Sequence, residues 1–318
     1  MRTLSRLCLI AVAIVVGLSV TAVISQSALQ SLERPISGSS SILVVTAHPD
    51  DETIFFSPTI LSLRQKHLEV HLLCFTTGNF RGIGDRRAVE LKAAVAALGV
   101  DDQHLVIVND TRIQDGKQEE WPLPIMAERI AAEVSKRHID TVVTFDHKGV
   151  YGHPNHKACQ EAVRVYADGC ARNAEGSGTC PSTWQLFTEP HRKFMGAVTI
   201  IQTAARCQKL HQACYITPSV VGTMRAMTAH ASQWRWWTHI LSKTYVSVNA
   251  LDRLPGFEQD RGAAQASASE LSMRDAFAQD GDVAPHHASS RAFHSARRAR
   301  ALHTRHSLQV SRLLRQLE

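Results

Sequence analysis

With 318 residues, 44% of them apolar and 20% charged, the chain has the composition of a folded globular protein able to bury a sizeable core. Its formal net charge of +6 raises nucleic acid or an anionic membrane as partners. The stretch Arg291 to Arg315 holds seven arginines and no acidic residue, and no nucleic-acid motif accompanies it, so the charge is a membrane-surface bias at most and no nucleic-acid partner is expected.

In chain order, Arg2 and Arg6 precede Leu7 to Ile24, a run without a charged residue that is just long enough to span a bilayer. The expectation is a retained transmembrane anchor over residues 1–25, with a cleaved signal as the alternative, since Ala22 and Ser25 are small. Residues 26–41 are polar, carry Pro35 and a Gly-Ser-Ser-Ser stretch, and read as a linker. An alternating order follows. The short apolar, β-branched run at 42–47 reads as a buried strand, 70–75, 104–108 and 141–145 read as further strands, and helices are read at 53–66, 85–98, 123–136 and 154–166. Gly99 marks one helix end, and Pro122 and Pro124 mark a helix entry. Residues 173–182 read as a loop, 197–201 as a later strand and 220–231 as a helix. Residues 253–318, rich in Ala, Ser, Arg and His, read as a mostly disordered basic tail. Strands alternating with helices predict an α/β fold, a Rossmann-like three-layer sandwich on a mainly parallel sheet, with the catalytic domain over 42–252.

The seven cysteines contain no C-x-x-C pair. Cys8 and Cys74 lie in apolar runs as buried thiols, and the spacing of Cys170, Cys180, Cys207 and Cys214 permits pairing without demanding it. Reduced thiols in a cytosol-facing domain are expected.

Ligands of an open parallel sheet bind at the carboxyl ends of its strands. The first strand runs into Ala47-His48-Pro49-Asp50-Asp51-Glu52, and the third ends at Asn109-Asp110. The fourth leads to Asp146-His147 and then Tyr151-Gly152-His153-Pro154-Asn155-His156. His48 and Asp51 stand three apart, as do His153 and His156, a spacing that puts both members of a pair on one face of a helical turn. Imidazole nitrogens with one carboxylate suit zinc or another divalent ion, and three protein ligands leave a coordination position for water. Against this, one H-x-x-H among seventeen histidines is unremarkable by itself, and acidic residues after a strand are ordinary helix N-caps. The two motifs together, on one sheet edge, are harder to dismiss. No G-x-G-x-x-G follows the first strand, which disfavours a dinucleotide site.

These stretches resemble the LmbE-like/PIG-L deacetylase superfamily, and within it the eukaryotic N-acetylglucosaminylphosphatidylinositol de-N-acetylase family. Phe55-Phe56-Ser57-Pro58, Leu72-Leu73-Cys74-Phe75, Gly78-Asn79 and Val142-Val143-Thr144-Phe145-Asp146 support the likeness, as does Met227 to Gln233. The resemblance covers roughly 42–167, returns weakly at 213–252 and leaves out the tail. It implies that His48, Asp51 and His156 hold the metal, that Asp50 is the general base, and that His153 stabilises the tetrahedral intermediate, which a protonated ring would do. Arg87 and Asp110 are candidates for holding sugar hydroxyls or the inositol phosphate, with Arg87 alternatively a solvated helix residue. Tyr151 is a further candidate donor to the oxyanion. Asp146 either orients His153 or caps its loop.

The implied substrate is a glycolipid, N-acetylglucosaminyl-phosphatidylinositol, at the endoplasmic reticulum membrane. The N-terminal helix would be the single-pass tether, and the tryptophans among basic residues at 234–243 suit a membrane interface. Arg2 and Arg6 favour a lumenal domain by the positive-inside rule, whereas the resemblance implies a cytosolic one, which is the orientation expected here.

Overall fold

The computed structural model describes residues 28–116, 120–173, 180–188, 196–233 and 248–254. Strand β1 (Ser41–Thr46) is buried along its whole length, as its Ile-Leu-Val-Val centre requires. It is followed by α1 (Asp51–Ile54), α2 (Ser57–Gln65), β2 (Glu69–Cys74), α3 (Gly84–Ala97) and β3 (Leu105–Ile107). Then come α4 (Leu123–Arg137), β4 (Thr141–Thr144), α5 (Gly149–Gly152), α6 (Pro154–Asn173) and β5 (Ser182–Leu186). The described chain ends with α7 (Gly196–Leu210), β6 (Ala213–Ile216), α8 (Val220–Ala229) and β7 (Val248–Arg253).

Among the described residues seven strands form one sheet in the order β3-β2-β1-β4-β5-β7-β6. The first five positions pair in parallel, and β7 runs antiparallel between β5 and β6. Helices α1, α2, α3 and α8 pack among themselves, and α4 packs on α6. Right-handed crossovers put these two groups on opposite faces of the sheet, which gives the three layers expected. Strand order reverses at β1, whose neighbours are β2 and β4, so the crevice between the carboxyl ends of β1 and β4 is the topological switch point.

Four expectations are corrected. Residues 197–201 lie within helix α7 rather than a strand, because Ile200, Ala204 and Cys207 recur at helical spacing and bury one face against Cys214, Ile216, Val248 and Ala250. The supposed linker is partly structured: Leu29 and Leu32 pack on that same cluster, Arg34 pairs with Cys214, and the Ile36 amide donates to the Tyr215 hydroxyl at 3.0 Å. The helix predicted over 53–66 is two helices, α1 and α2, parted at Phe55-Phe56. The thiols are not all reduced, because α6 runs on past Tyr166 and delivers Cys170 to Cys180, just before β5, where the two form a disulfide. Cys74, Cys159, Cys207 and Cys214 remain free and buried.

Among the described residues no helix is long and apolar enough to cross a membrane. The anchor expected at 1–25 and the basic tail from 255 onward lie outside the described residues, as do the tryptophans at 234–237.

Candidate active site

The turn between β1 and α1 is built around Asp51. Its Oδ2 accepts the backbone N–H groups of Ala47 at 3.1 Å and His48 at 2.8 Å, which folds the chain back over the end of β1. Asp50 sits at φ 121°, outside the regions an L-residue prefers, so the two adjacent carboxylates leave the turn in different directions. Asp51 is the more deeply buried of the two, and both line a cavity of about 320 Å³ with His48, Arg87, Asp115, Tyr151, His153 and Gln233.

The two motifs meet as expected. One ligand atom each from His48, Asp51 and His156 lies within 4.8 Å of the other two. His156 Nε2 is 3.2 Å from Asp51 Oδ1, and His48 Nδ1 is 3.5 Å from Asp51 Oδ2. The His156 ring is wholly buried and stacked on Phe145 at 4.0 Å between centroids; its Nε2 faces Asp51, and its Nδ1 makes no hydrogen bond. A buried imidazole nitrogen without a partner costs free energy unless something else satisfies it, and a metal ion on this ring would do so. Two imidazoles and one carboxylate, all buried, fit a zinc site with an open position.

Electrostatics separates the two aspartates. Burial would raise the Asp51 carboxyl, but the His156 and His48 imidazoles outweigh it and hold the group well below the usual carboxylate range. Burial carries Asp50 up to about 7; Arg87 opposes the rise and the Asp51 charge adds to it. Burial would lower His48, but the carboxylates of Asp115 and Asp51 carry it up to about 9.

His153 lies against the other two histidines of the cluster, 4.9 Å from His48 and 4.6 Å from His156 between ring centroids. Burial and the two neighbouring imidazoles pull it down to about 4, so it is neutral near pH 7 rather than protonated as expected. Its Nδ1 accepts the Asn155 N–H at 3.3 Å, which leaves the ring proton on Nε2 as a donor.

Other candidates fall differently. Arg87 is buried, donates to the Gly78 carbonyl at 3.1 Å and lies 3.2 Å from Asp50 Oδ1, so it is not a solvated helix residue. Tyr151 is 65% exposed at the cavity rim, 6.0 Å from His153 between ring centroids. Asp110 is outside the cavity lining, and its carboxylate is engaged by Arg112 at 2.7 Å and Arg129 at 3.8 Å. Asp146 Oδ1 accepts the Val150 N–H at 2.8 Å and so caps the loop, steadying a Val at φ 65°.

Sequence reasoning missed Asp115, whose carboxylate lies 3.2 Å from His48 Nε2 and 3.8 Å from Arg87 Nη1. It comes from the loop after β3, one position before Gly116 and without periodicity to mark it. Gln233, part of the stretch carrying the resemblance, also reaches the cavity.

Residues 43–167 match the family described as PIG-L: GlcNAc-PI de-N-acetylase. A bovine N-acetylglucosaminyl-phosphatidylinositol de-N-acetylase is 31% identical over 225 residues, which cover 68% of this chain and 85% of that protein. The chain belongs to the GlcNAc-PI de-N-acetylase family. A probable N-acetylglucosaminyl-phosphatidylinositol de-N-acetylase of Schizosaccharomyces pombe is 44% identical over 124 residues, so the GlcNAc-PI de-N-acetylase match spans 39% of this chain and half of that relative. A Thermobifida fusca 1D-myo-inositol 2-acetamido-2-deoxy-alpha-D-glucopyranoside deacetylase is 27% identical over 189 residues, covering 51% of this chain and 66% of that one.

Proposed function

We propose that this chain hydrolyses the N-acetyl group of N-acetylglucosaminyl-phosphatidylinositol to give glucosaminyl-phosphatidylinositol and acetate, the second step of GPI-anchor biosynthesis. The observation that carries the reading is the convergence of His48, Asp51 and His156 beside Asp50 in one cavity, in a chain whose relatives are named for this deacetylation.

Amide hydrolysis requires an activated water, a stabilised oxyanion and a proton for the departing nitrogen. His48, Asp51 and His156 would hold zinc, which when bound polarises a carbonyl and makes water a better nucleophile near neutral pH. Asp50, at the cavity wall and poised near 7, takes the proton from the attacking water and returns it to the leaving amine. Arg87, 3.2 Å from Asp50, holds that carboxylate in place. His153 meets the developing oxyanion with its Nε2–H as a neutral donor. Tyr151 on the rim adds a second donor to the oxyanion, while the Arg87 guanidinium is taken up by Asp50, Asp115 and the Gly78 carbonyl. Asp110 has no place in this reading, since Arg112 and Arg129 occupy its carboxylate.

The setting proposed is the endoplasmic reticulum membrane, with the N-terminal apolar run as the tether and the glycolipid headgroup entering the cavity from the bilayer surface. A soluble N-acetylglucosaminyl-inositol is the rival substrate, because the T. fusca relative is named for one. Free-amine formation by the full chain is to be measured on the lipid in mixed micelles and on the soluble conjugate. The reading predicts a kcat/KM at least about tenfold higher for the lipid, equal to 1.4 kcal/mol of extra transition-state binding. A preference for the soluble conjugate would overturn the lipid assignment.

A further inference from the structure

Glu52 belongs to the first motif but faces away from the metal ligands. Its side chain is fully buried, and its Oε1 lies 2.6 Å from Nε2 of His230, equally buried, 178 residues further along the chain. The Thr53 hydroxyl donates to the same Oε1. The other oxygen, Oε2, accepts the backbone N–H of Asp50 at 3.0 Å. That amide belongs to the residue at φ 121°, a conformation that persists only where the surroundings enforce it.

His230 is itself fixed at the end of α8. The next turn is clamped onto α3: Ser232 donates its N–H to Glu90 Oε1 at 2.9 Å and its hydroxyl to Glu90 Oε2 at 2.5 Å. Gln233, one residue on, lines the cavity. A fully buried imidazole–carboxylate contact is by itself weak evidence for stability, since apolar residues of like volume often serve as well. Here the pair does something apolar residues do not: it leaves one oxygen of Glu52 on the strained backbone of Asp50.

We propose that His230 is a positioning residue for the reaction: by fixing Glu52 it holds the strained Asp50 backbone, and so aims the carboxylate that handles the proton. The inference rests on the role given to Asp50 above. Misplacing a proton-transfer group by about 1 Å lowers turnover about a hundredfold without altering how substrate is held. A pure packing role would instead lower the folded fraction.

The test uses the full, zinc-loaded chain as wild type, His230→Ala and His230→Gln, the glutamine amide being able to donate to Glu52. Four quantities are compared: kcat, KM, zinc per folded chain, and amide hydrogen exchange over residues 47–54. The expected result for His230→Ala is a kcat about 10- to 100-fold lower, KM within about twofold, zinc retained, and exchange at Asp50 accelerated. His230→Gln is expected to restore kcat to within about fivefold of wild type and to restore protection. The proposal is overturned if kcat per folded His230→Ala molecule is unchanged, if exchange at Asp50 stays slow, or if glutamine rescues neither. Should His230→Ala fail to fold, His230→Leu, apolar and closer to histidine in volume, takes its place under the same kcat and exchange criteria. An inactive wild type would refute the proposed function, and the exchange measurement would still decide whether His230 holds Asp50.

Discussion

Burial acts on Asp50 and Asp51 alike, and the difference between them comes from what each carboxylate faces. Asp51 faces two imidazoles and stays charged, whereas Asp50 faces one arginine and the charge of Asp51, and is held near 7. A base must be deprotonated to work, so kcat/KM should fall as pH drops through the Asp50 value. A bound cation favours the carboxylate and moves that midpoint below 7. Replacing Arg87 with methionine removes an opposing charge, so the acid limb of the pH–rate profile should move to higher pH; an unmoved limb would exclude Asp50 as its source. His48 carries a second prediction. Held at about 9 by Asp115 and Asp51, it must lose a proton before it can ligate a metal. Zinc affinity, measured calorimetrically in buffers of different ionisation enthalpy, should rise about tenfold per pH unit between pH 7 and 9 with one proton released. Affinity independent of pH over that range would show that metal binding displaces no proton from His48.

At the scale of elements, the site depends on turns at the ends of β1, β2 and β4. Gly78, after β2, has φ 69°, and a Cβ there would stand 2.3 Å from Arg87 Nη1. Gly78→Ala should cost about 1–3 kcal/mol by chemical denaturation and displace Arg87 from Asp50, lowering kcat as well. Unchanged stability and turnover would show that Arg87 does not need its present seat. Elements at the front of the chain were legible because β1 and β4 are buried β-branched runs, β2 is largely buried and apolar, and the helices between them carry a 3.6-residue period. The antiparallel end was not. Strand β6 has four residues, β5 carries Trp184 and Gln185 among its side chains, and the Ala-Val-Thr-Ile-Ile of α7 has strand composition until its helical burial is seen. The cluster of His48, Asp51 and His156 could be read from two motifs because each packs its chemistry into a few consecutive residues. Asp115 and His230 could not, because single residues on loops and helix ends acquire meaning only from contacts that the fold creates.

For the molecule as a whole, the observations that bear on its orientation at the proposed membrane pull in two directions. Family resemblance implies a cytosolic domain. The Cys170–Cys180 disulfide suits an oxidising compartment, and Arg2 and Arg6 before the apolar run favour the same side. With the cytosolic orientation that the family resemblance implies, protease added to intact microsomes should digest the domain. Protection together with an intact disulfide would place the domain in the lumen.

The central claim is that neighbouring aspartates divide the work, Asp51 with His48 and His156 on the metal and Asp50 on the proton. Acetate release and zinc content measured together on wild type, Asp50→Asn and His156→Ala test it most directly. Both variants should lose at least about a hundredfold in turnover, the first keeping its zinc and the second losing most of it. Full turnover in Asp50→Asn, or zinc undiminished in His156→Ala, would contradict the account.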